Sequence, residues 1–377
     1  MRILISAGEA SGEMYGAQLI SALRRQNRQF EFFGAGGDRM RAAGCDIVVD
    51  AKDLSVVGIT EILSHLPKIY RLFHKLISAA DQLRPDLAVV IDSPAFNWRV
   101  ARQMRKRGIP VVYYVCPQFW AWRQGRVRLL RKYVDKALVI FPFEEKFYRD
   151  RGVDAAFVGH PLADLPRPQI SRADYAAKNS LEAEKHWITL MPGSRMKEVR
   201  MNLPTILHSA AKLGSHYEFL LPVAPTLDRN WLKSLIGDKR VRLVNEALPA
   251  LSLSRAGVIA SGTATVEAAL MGTPFAMVYR VSPLTYMLGK PRVKVPYFAM
   301  VNLIAGREIV PELVQERFTS ENVVAEVTKI LSDGLDRSRM VEGLADVRAK
   351  LQNPASDHPL AADRAAMAIL ALLPKTR

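Results

Sequence analysis

Cysteine is nearly absent: Cys45 and Cys116 are the two in 377 residues. That excludes a disulfide scaffold and a cysteine-held metal cluster, and it fits a reducing compartment. Long apolar runs are missing too, since no stretch approaches the roughly 18–20 residues that span a bilayer. Met1-Arg2 leads into a short strand and then polar loop residues, which does not read as a signal peptide. A cytoplasmic chain is the expectation. Several signatures are also lacking. There is no G-x-G-x-x-G, no Walker lysine, no H-E-x-x-H, no C-x-x-C and no D-x-D triplet. No metal and no dinucleotide cofactor is therefore expected. RRM, KH and zinc-finger patterns are absent as well, which counts against nucleic acid as the partner.

What is present is positive charge, +16 overall and unevenly spread. Between Arg99 and Lys136, eleven Lys or Arg stand against one acid, Asp135, a local net of +10 in 38 residues. The same stretch carries Tyr113, Tyr114, Phe119, Trp120 and Trp122. So dense a basic segment calls for an anionic partner: a membrane surface, a phosphorylated substrate or nucleic acid. Basic residues beside Trp and Phe suit a lipid headgroup layer. They equally suit stacking on single-stranded nucleic acid. A plain solvated face is the bland alternative.

A chain of this length has two domains as its natural expectation. Its first half alternates short apolar strands with helical periodicities: Ile3–Ile5, Phe30–Phe33, Ile47–Val49, Leu87–Ile91, Val111–Val115, Ala137–Ile140 and Ala155–Val158. Between them, Val57–Ala80 reads as a helix that Pro67 should kink or divide. Periodicity fades between His160 and His186, where Pro161, Pro166 and Pro168 stand. The rhythm then restarts at Trp187–Met191 and becomes helical after Tyr279, with helices expected near 283–289, 308–316, 320–332, 337–351 and 359–373. The expected organisation is one Rossmann-like domain over 1–165 and a second, with terminal helices, over 166–377. This is α/β architecture with parallel sheets. Two such domains facing across a cleft resemble a GT-B glycosyltransferase by fold analogy alone.

Candidate chemistry lies at strand ends. After the first strand comes Gly8-Glu9-Ala10-Ser11-Gly12-Glu13, with Ser11 placed to cap a helix and two acids that suit sugar hydroxyls rather than phosphate. A solvated turn is the competing reading. Asp92 ends a buried strand, with Pro94 fixing the turn. Partial desolvation there raises its pKa toward general-base use; an Asx-turn is the alternative. Asn97 orients a substrate hydroxyl or satisfies local backbone. Gly193-Ser194-Arg195 and Ser261-Gly262-Thr263 each precede a helix, and their N–H groups with Arg195 suit a diphosphate. Ordinary capped turns would look the same. Glu267 is placed to accept ribose hydroxyls or is a plain surface acid. His160 is a lone histidine at the domain boundary, catalytic or simply hydrogen-bonded.

The chain resembles the lipid-A-disaccharide synthase family, glycosyltransferase family 19. The blocks that carry this are GEASGE at 8–13, VGITEIL at 57–63, DSPAFN at 92–97, CPQFWAWRQGR at 116–126, VGHPLAD at 158–164, MPGSRMKEV at 191–199, SGTATVEAALMGTP at 261–274 and NLIAGREIVPEL at 302–313. The resemblance implies a metal-free inverting transfer from UDP-2,3-diacylglucosamine to 2,3-diacylglucosamine 1-phosphate (lipid X), made at an anionic membrane surface, with a homodimer as one form. On it, Asp92 is the base. Glu9, the second catalytic candidate, and Ser11 belong to the N-terminal loop, Trp122 and Arg123 to the acceptor side, and Arg195, Thr263 and Glu267 to the donor side. Asn302 and Arg307 form a later polar block. Two departures stand out: Ala95 where the family usually has an acid, and Glu13 where it has Asp. The rival enzyme reading is another membrane-surface GT-B transferase with a polyprenyl-linked acceptor. The rival outside enzymes is a nucleic-acid binder acting through residues 99–136.

Overall fold

The computed structural model describes residues 1–27, 29–54, 59–353, 358 and 360–373, the side chains of residues 10 and 59–66 excepted. The chain forms two compact units, Met1–Asp164 with Leu351–Arg377, and Leu165–Lys350.

The first unit holds seven parallel strands: β1 Arg2–Ala7, β2 Glu31–Gly36, β3 Cys45–Asp50, β4 Leu87–Ile91, β5 Val111–Tyr114, β6 Lys136–Val139 and β7 Ala155–Phe157. Their order is β3-β2-β1-β4-β5-β6-β7. The central strand β4, LAVVI, is buried at every position, as a sheet covered by helices on both faces requires. The order reverses between β1 and β4, and ligands of such sheets bind beyond the carboxyl ends of the strands at that switch point. Glu9 follows β1 and Asp92 follows β4, so both stand there.

The second unit repeats the plan with β8 His186–Met191, β9 Tyr217–Pro222, β10 Val241–Val244, β11 Ala256–Ala260, β12 Phe275–Tyr279 and β13 Glu312–Val314. The order is β10-β9-β8-β11-β12-β13. Its switch point lies between β8 and β11, the strands that lead into Gly193-Ser194-Arg195 and Ser261-Gly262-Thr263.

The expected pattern needs four corrections. The strand expected over Phe30–Phe33 is Glu31–Gly36, and a side chain at Gly34 would lie 1.9 Å from the Ile5 carbonyl oxygen in the neighbouring strand. The helix expected over 308–316 is instead β13 and a 3-10 turn, and a helix runs over Met300–Ala305. The helix Ile59–Leu83 continues through Pro67 undivided; Val57 and Gly58, which open the VGITEIL block, lie outside the described residues. Finally, the last residues leave the second unit. The helix Ala361–Leu370 packs on the helix Ala10–Gln26, with Asp363 paired to Arg25 at 2.5 Å. Arg364 also donates to the Val158 carbonyl at 2.6 Å. A return of this kind is written in contacts, not in periodicity, so the expected division at 165/166 places the tail wrongly.

Candidate functional site

In the first unit the site is a strained turn held from below. Asp92 and Ser93 are consecutive non-glycine residues in the left-handed region, φ 47° and 44°. Each costs roughly 1–2 kcal/mol. Asn97 compensates: its amide donates to the carbonyls of Ile91 (2.8 Å), Asp92 (2.9 Å) and Ser6 (3.2 Å), while its oxygen accepts from the Ser6 hydroxyl at 2.7 Å. The Tyr113 hydroxyl donates to the Asp92 carbonyl at 2.8 Å. Every polar atom of the Asp92 backbone is thus tied, its N–H to the Tyr114 carbonyl at 3.1 Å. Pro94 then opens the helix Pro94–Lys106. Gly8 lets the first loop reach this turn, since a Cβ there would sit 2.5 Å from the Ser93 hydroxyl oxygen.

The carboxyl of Asp92 is left for chemistry. Desolvation, helped by repulsion from Glu9, raises its pKa to about 6, with the Ser93 N–H pulling the other way. A carboxylate so placed takes a proton from a hydroxyl near neutral pH. Glu9 is exposed on the same switch point. It, and not Ser11, is the helix N-cap residue; Ser11 sits exposed within the first turn, so the capping expected of it does not occur. Glu13 accepts the Arg39 N–H at 2.7 Å and closes on Gly37. It ties the first turn of the helix Ala10–Gln26 to the start of the helix Asp38–Ala42 and is no free hydroxyl binder. Ala95 is exposed one residue beyond Pro94.

Two expected site residues turn inward. Asn97 has no group to spare for substrate. His160 is 1% exposed; its Nδ1 accepts from the Leu162 N–H at 3.2 Å. Burial lowers its pKa to about 3, so it stays neutral. The basic stretch is corrected as well. Tyr113 and Tyr114 belong to β5, and Phe119 and Trp120 pack against Trp98 and Phe143, so only Trp122 of the five aromatics is exposed, at 48%. The Arg123 guanidinium lies 3.8 Å over its ring. The charge remains. Arg105, Arg107 and Lys136 pair with Asp135, Asp81 and Asp154; the other eight of the eleven have no ion pair among the described residues.

In the second unit the two glycine turns differ. Gly193 has φ 127°, and a side chain there would strike Glu198 at 2.7 Å. The Glu198 carboxylate accepts from the N–H groups of Ser194 (3.1 Å) and Arg195 (3.3 Å) and pairs with the Arg195 guanidinium at 3.0 Å. The anion position at the start of the helix Met196–Leu213 is therefore filled by the protein's own acid. Glu198 is not among the site residues expected from the sequence. Its signal is the three-residue spacing from Arg195, that of a capping pair. By contrast, Gly262 (φ 138°) and Thr263 are exposed at the start of the helix Thr263–Met271, with Ser261 anchored by donating to the Phe298 carbonyl at 2.8 Å. One turn further on, burial raises the pKa of Glu267 to about 7. It makes no hydrogen bond among the described residues, which is not the environment of a plain surface acid.

The later polar block divides. Asn302 is fully buried. It donates to Val310 O and Glu312 and accepts the N–H groups of Ile309 and Val310, so it staples the loop before β13. Arg307 is 61% exposed, 3.9 Å from Asp346. Among the described residues no group of three or more His, Cys, Asp or Glu side chains is placed to hold a metal ion, and no helix is long and apolar enough to cross a membrane.

Comparison with known proteins agrees with this layout. A sequence model described as lipid-A-disaccharide synthetase matches residues 3–365. A lipid-A-disaccharide synthase from Koribacter versatilis is 53% identical, covering 99% of this chain and 98% of its own. Among solved structures, the glycotransferase of kitacinnamycin superposes with a TM-score of 0.66 at 16% identity over 99% of each chain. UDP-GlcNAc 2-epimerase from Neisseria meningitidis, bound to UDP-GlcNAc, gives 0.67 at 14% identity over 100% of each. At such identities these two speak for the fold, a pair of Rossmann-like domains of the GT-B kind.

Proposed function

The chain belongs to the lipid-A-disaccharide synthase family, UDP-sugar glycosyltransferases, and on that premise we propose that it joins UDP-2,3-diacylglucosamine to 2,3-diacylglucosamine 1-phosphate. The products are the β-1,6-linked disaccharide 1-phosphate and UDP. The observation that carries the mechanism is the Asp92 turn: a desolvated carboxyl at a switch point, on a backbone whose every polar atom is tied down.

In this reading the first unit takes the acceptor. Asp92 removes the proton from the acceptor hydroxyl as its oxygen attacks the anomeric carbon of the donor; the bond to the UDP oxygen breaks on the opposite face, which inverts the configuration. Glu9 accepts from a further sugar hydroxyl. The second unit takes the donor. The diphosphate lies against the free N–H groups at Gly262 and Thr263, Arg195 neutralises the departing charge, and Glu267 accepts the ribose hydroxyls. Glu198 has to release the Ser194 and Arg195 N–H groups if these are to bind phosphate as well. No metal takes part. The unpaired cations of 99–132 and Trp122 hold the enzyme to the anionic membrane surface in which both acylated substrates reside.

The test is UDP release from the diacylated donor in detergent with EDTA, with and without the acceptor. Acceptor-dependent release with a disaccharide product is the expected result. A protein that binds UDP but releases none with this acceptor overturns the substrate assignment.

A further inference from the structure

The second unit holds a helix that buries nothing. Pro283–Gly289, PLTYMLG, has no buried residue. Its large apolar side chains Leu284, Met287 and Leu288 are 62%, 64% and 52% exposed. They stand at i, i+3 and i+4, so they form one face. The helix is nonetheless well made: Ser282 caps it by accepting the Thr285 N–H at 3.3 Å, and Pro283 occupies its first turn. The protein therefore holds a contiguous apolar face toward water, at a cost that calls for a partner.

Charge identifies the partner. Residues 268–307 contain no Asp or Glu and five Lys or Arg. Immediately after the helix, Lys290, Arg292 and Lys294 are all exposed and have no ion pair among the described residues. Lys290 leans over the Tyr286 ring at 5.5 Å, and Arg292 donates back to the Leu288 carbonyl, so the cations flank the apolar face. An exposed apolar face bordered by cations, in a stretch of sequence without acids, is complementary to an anionic bilayer: apolar side chains enter the acyl boundary while ammonium and guanidinium groups meet phosphates. The segment also leaves β12 at its carboxyl end, the end of the sheet that carries the Gly193 and Gly262 turns.

We infer that Pro283–Lys294 is a membrane-seating hook of the second unit, inserting Leu284, Met287 and Leu288 into an anionic lipid surface beside the donor turns. This extends the membrane-surface reading above from the first unit to the second. It is read by partition without substrates, so it can fail while acceptor-dependent UDP release in detergent stands, and the reverse.

The experiment places an environment-sensitive dye on Met287→Cys in the full chain; the native Cys45 and Cys116 are buried, which directs the label. Leu235→Cys, on a helix of the same unit, serves as the control position. Vesicles of phosphatidylethanolamine with phosphatidylglycerol should shift the emission at 287 to the blue and leave 235 unchanged. Pure phosphatidylcholine should have little effect. The combined Leu284→Ser, Met287→Ser, Leu288→Ser variant, still binding UDP, should sediment with the anionic vesicles about tenfold less. Three results overturn the inference: vesicle binding with no shift at 287, a shift that follows protein concentration without lipid and so reports a second copy, or undiminished partition of the triple variant.

Discussion

Asp92 and Glu144 are both acids of the first unit taken out of water, and burial raises the pKa of each, to about 6 and about 7. Their surroundings differ in kind. Glu144 is 1% exposed and its carboxylate accepts three hydrogen bonds, from the Trp120 indole at 2.7 Å and from the N–H groups of Ile140 and Phe141 at 3.1 and 3.0 Å. It is a fastening between the aromatic segment 119–122 and the start of the helix Pro142–Arg149. At Asp92 it is the backbone that is fastened, through Asn97 and Tyr113, while the carboxyl is opposed by Glu9 and steadied by little beyond the Ser93 N–H. A raised pKa alone does not mark a site. What separates the two is which atoms the protein has already committed.

Exchanging the two acids for neutral groups breaks this comparison most sharply. Asp92→Asn should lower turnover by about a hundredfold or more with UDP binding intact, whereas Glu144→Gln should leave the rate per folded molecule almost unchanged. Stability should respond in the opposite sense. The Asp92 pKa is higher in the folded chain than in the unfolded one, so stability falls as pH rises between about 4 and 6 and stays reduced above that. Asp92→Asn removes the penalty and should raise the melting temperature at neutral pH. Glu144→Ala strands two N–H groups and an indole and should cost about 2–4 kcal/mol, seen as a marked fall in melting temperature.

The second unit offers a milder version of the same contrast, between Glu267, with no hydrogen-bond partner among the described residues, and Glu198 with three. Glu267→Gln should raise the donor KM roughly tenfold with little change in kcat. Glu198→Gln should tighten UDP binding a few-fold in calorimetry, because the competing anion is gone while its shape remains. Weaker UDP binding in that variant would show that Glu198 supports the turn rather than occupies the phosphate position.

Much of this was legible in the sequence because buried parallel strands announce themselves. Runs such as LAVVI and the small-residue turns after them marked the strand ends at which Asp92 and the two glycine turns stand. What stayed hidden has a common cause. A polar residue at a strand end reads alike whether it faces solvent or backbone, so Asn97, Asn302 and His160 could not be told from ligand contacts. Phe119 and Trp120 likewise read as part of a basic aromatic face and are core, as are Tyr113 and Tyr114 of β5. The return of Ala361–Leu370 to the first unit depends on contacts with Val158 and Arg25, made between residues 206 and 338 positions apart along the chain.

Acceptor-dependent UDP release measured from pH 4.5 to 8 (about the range set by a carboxyl of pKa near 6) tests the role of Asp92 most directly. The wild-type kcat/KM should rise about tenfold per pH unit at the acid end and level off above about pH 6, while Asp92→Asn should be about a hundredfold slower without that limb. A variant that keeps both the rate and the acid limb would contradict the assignment and place the base elsewhere.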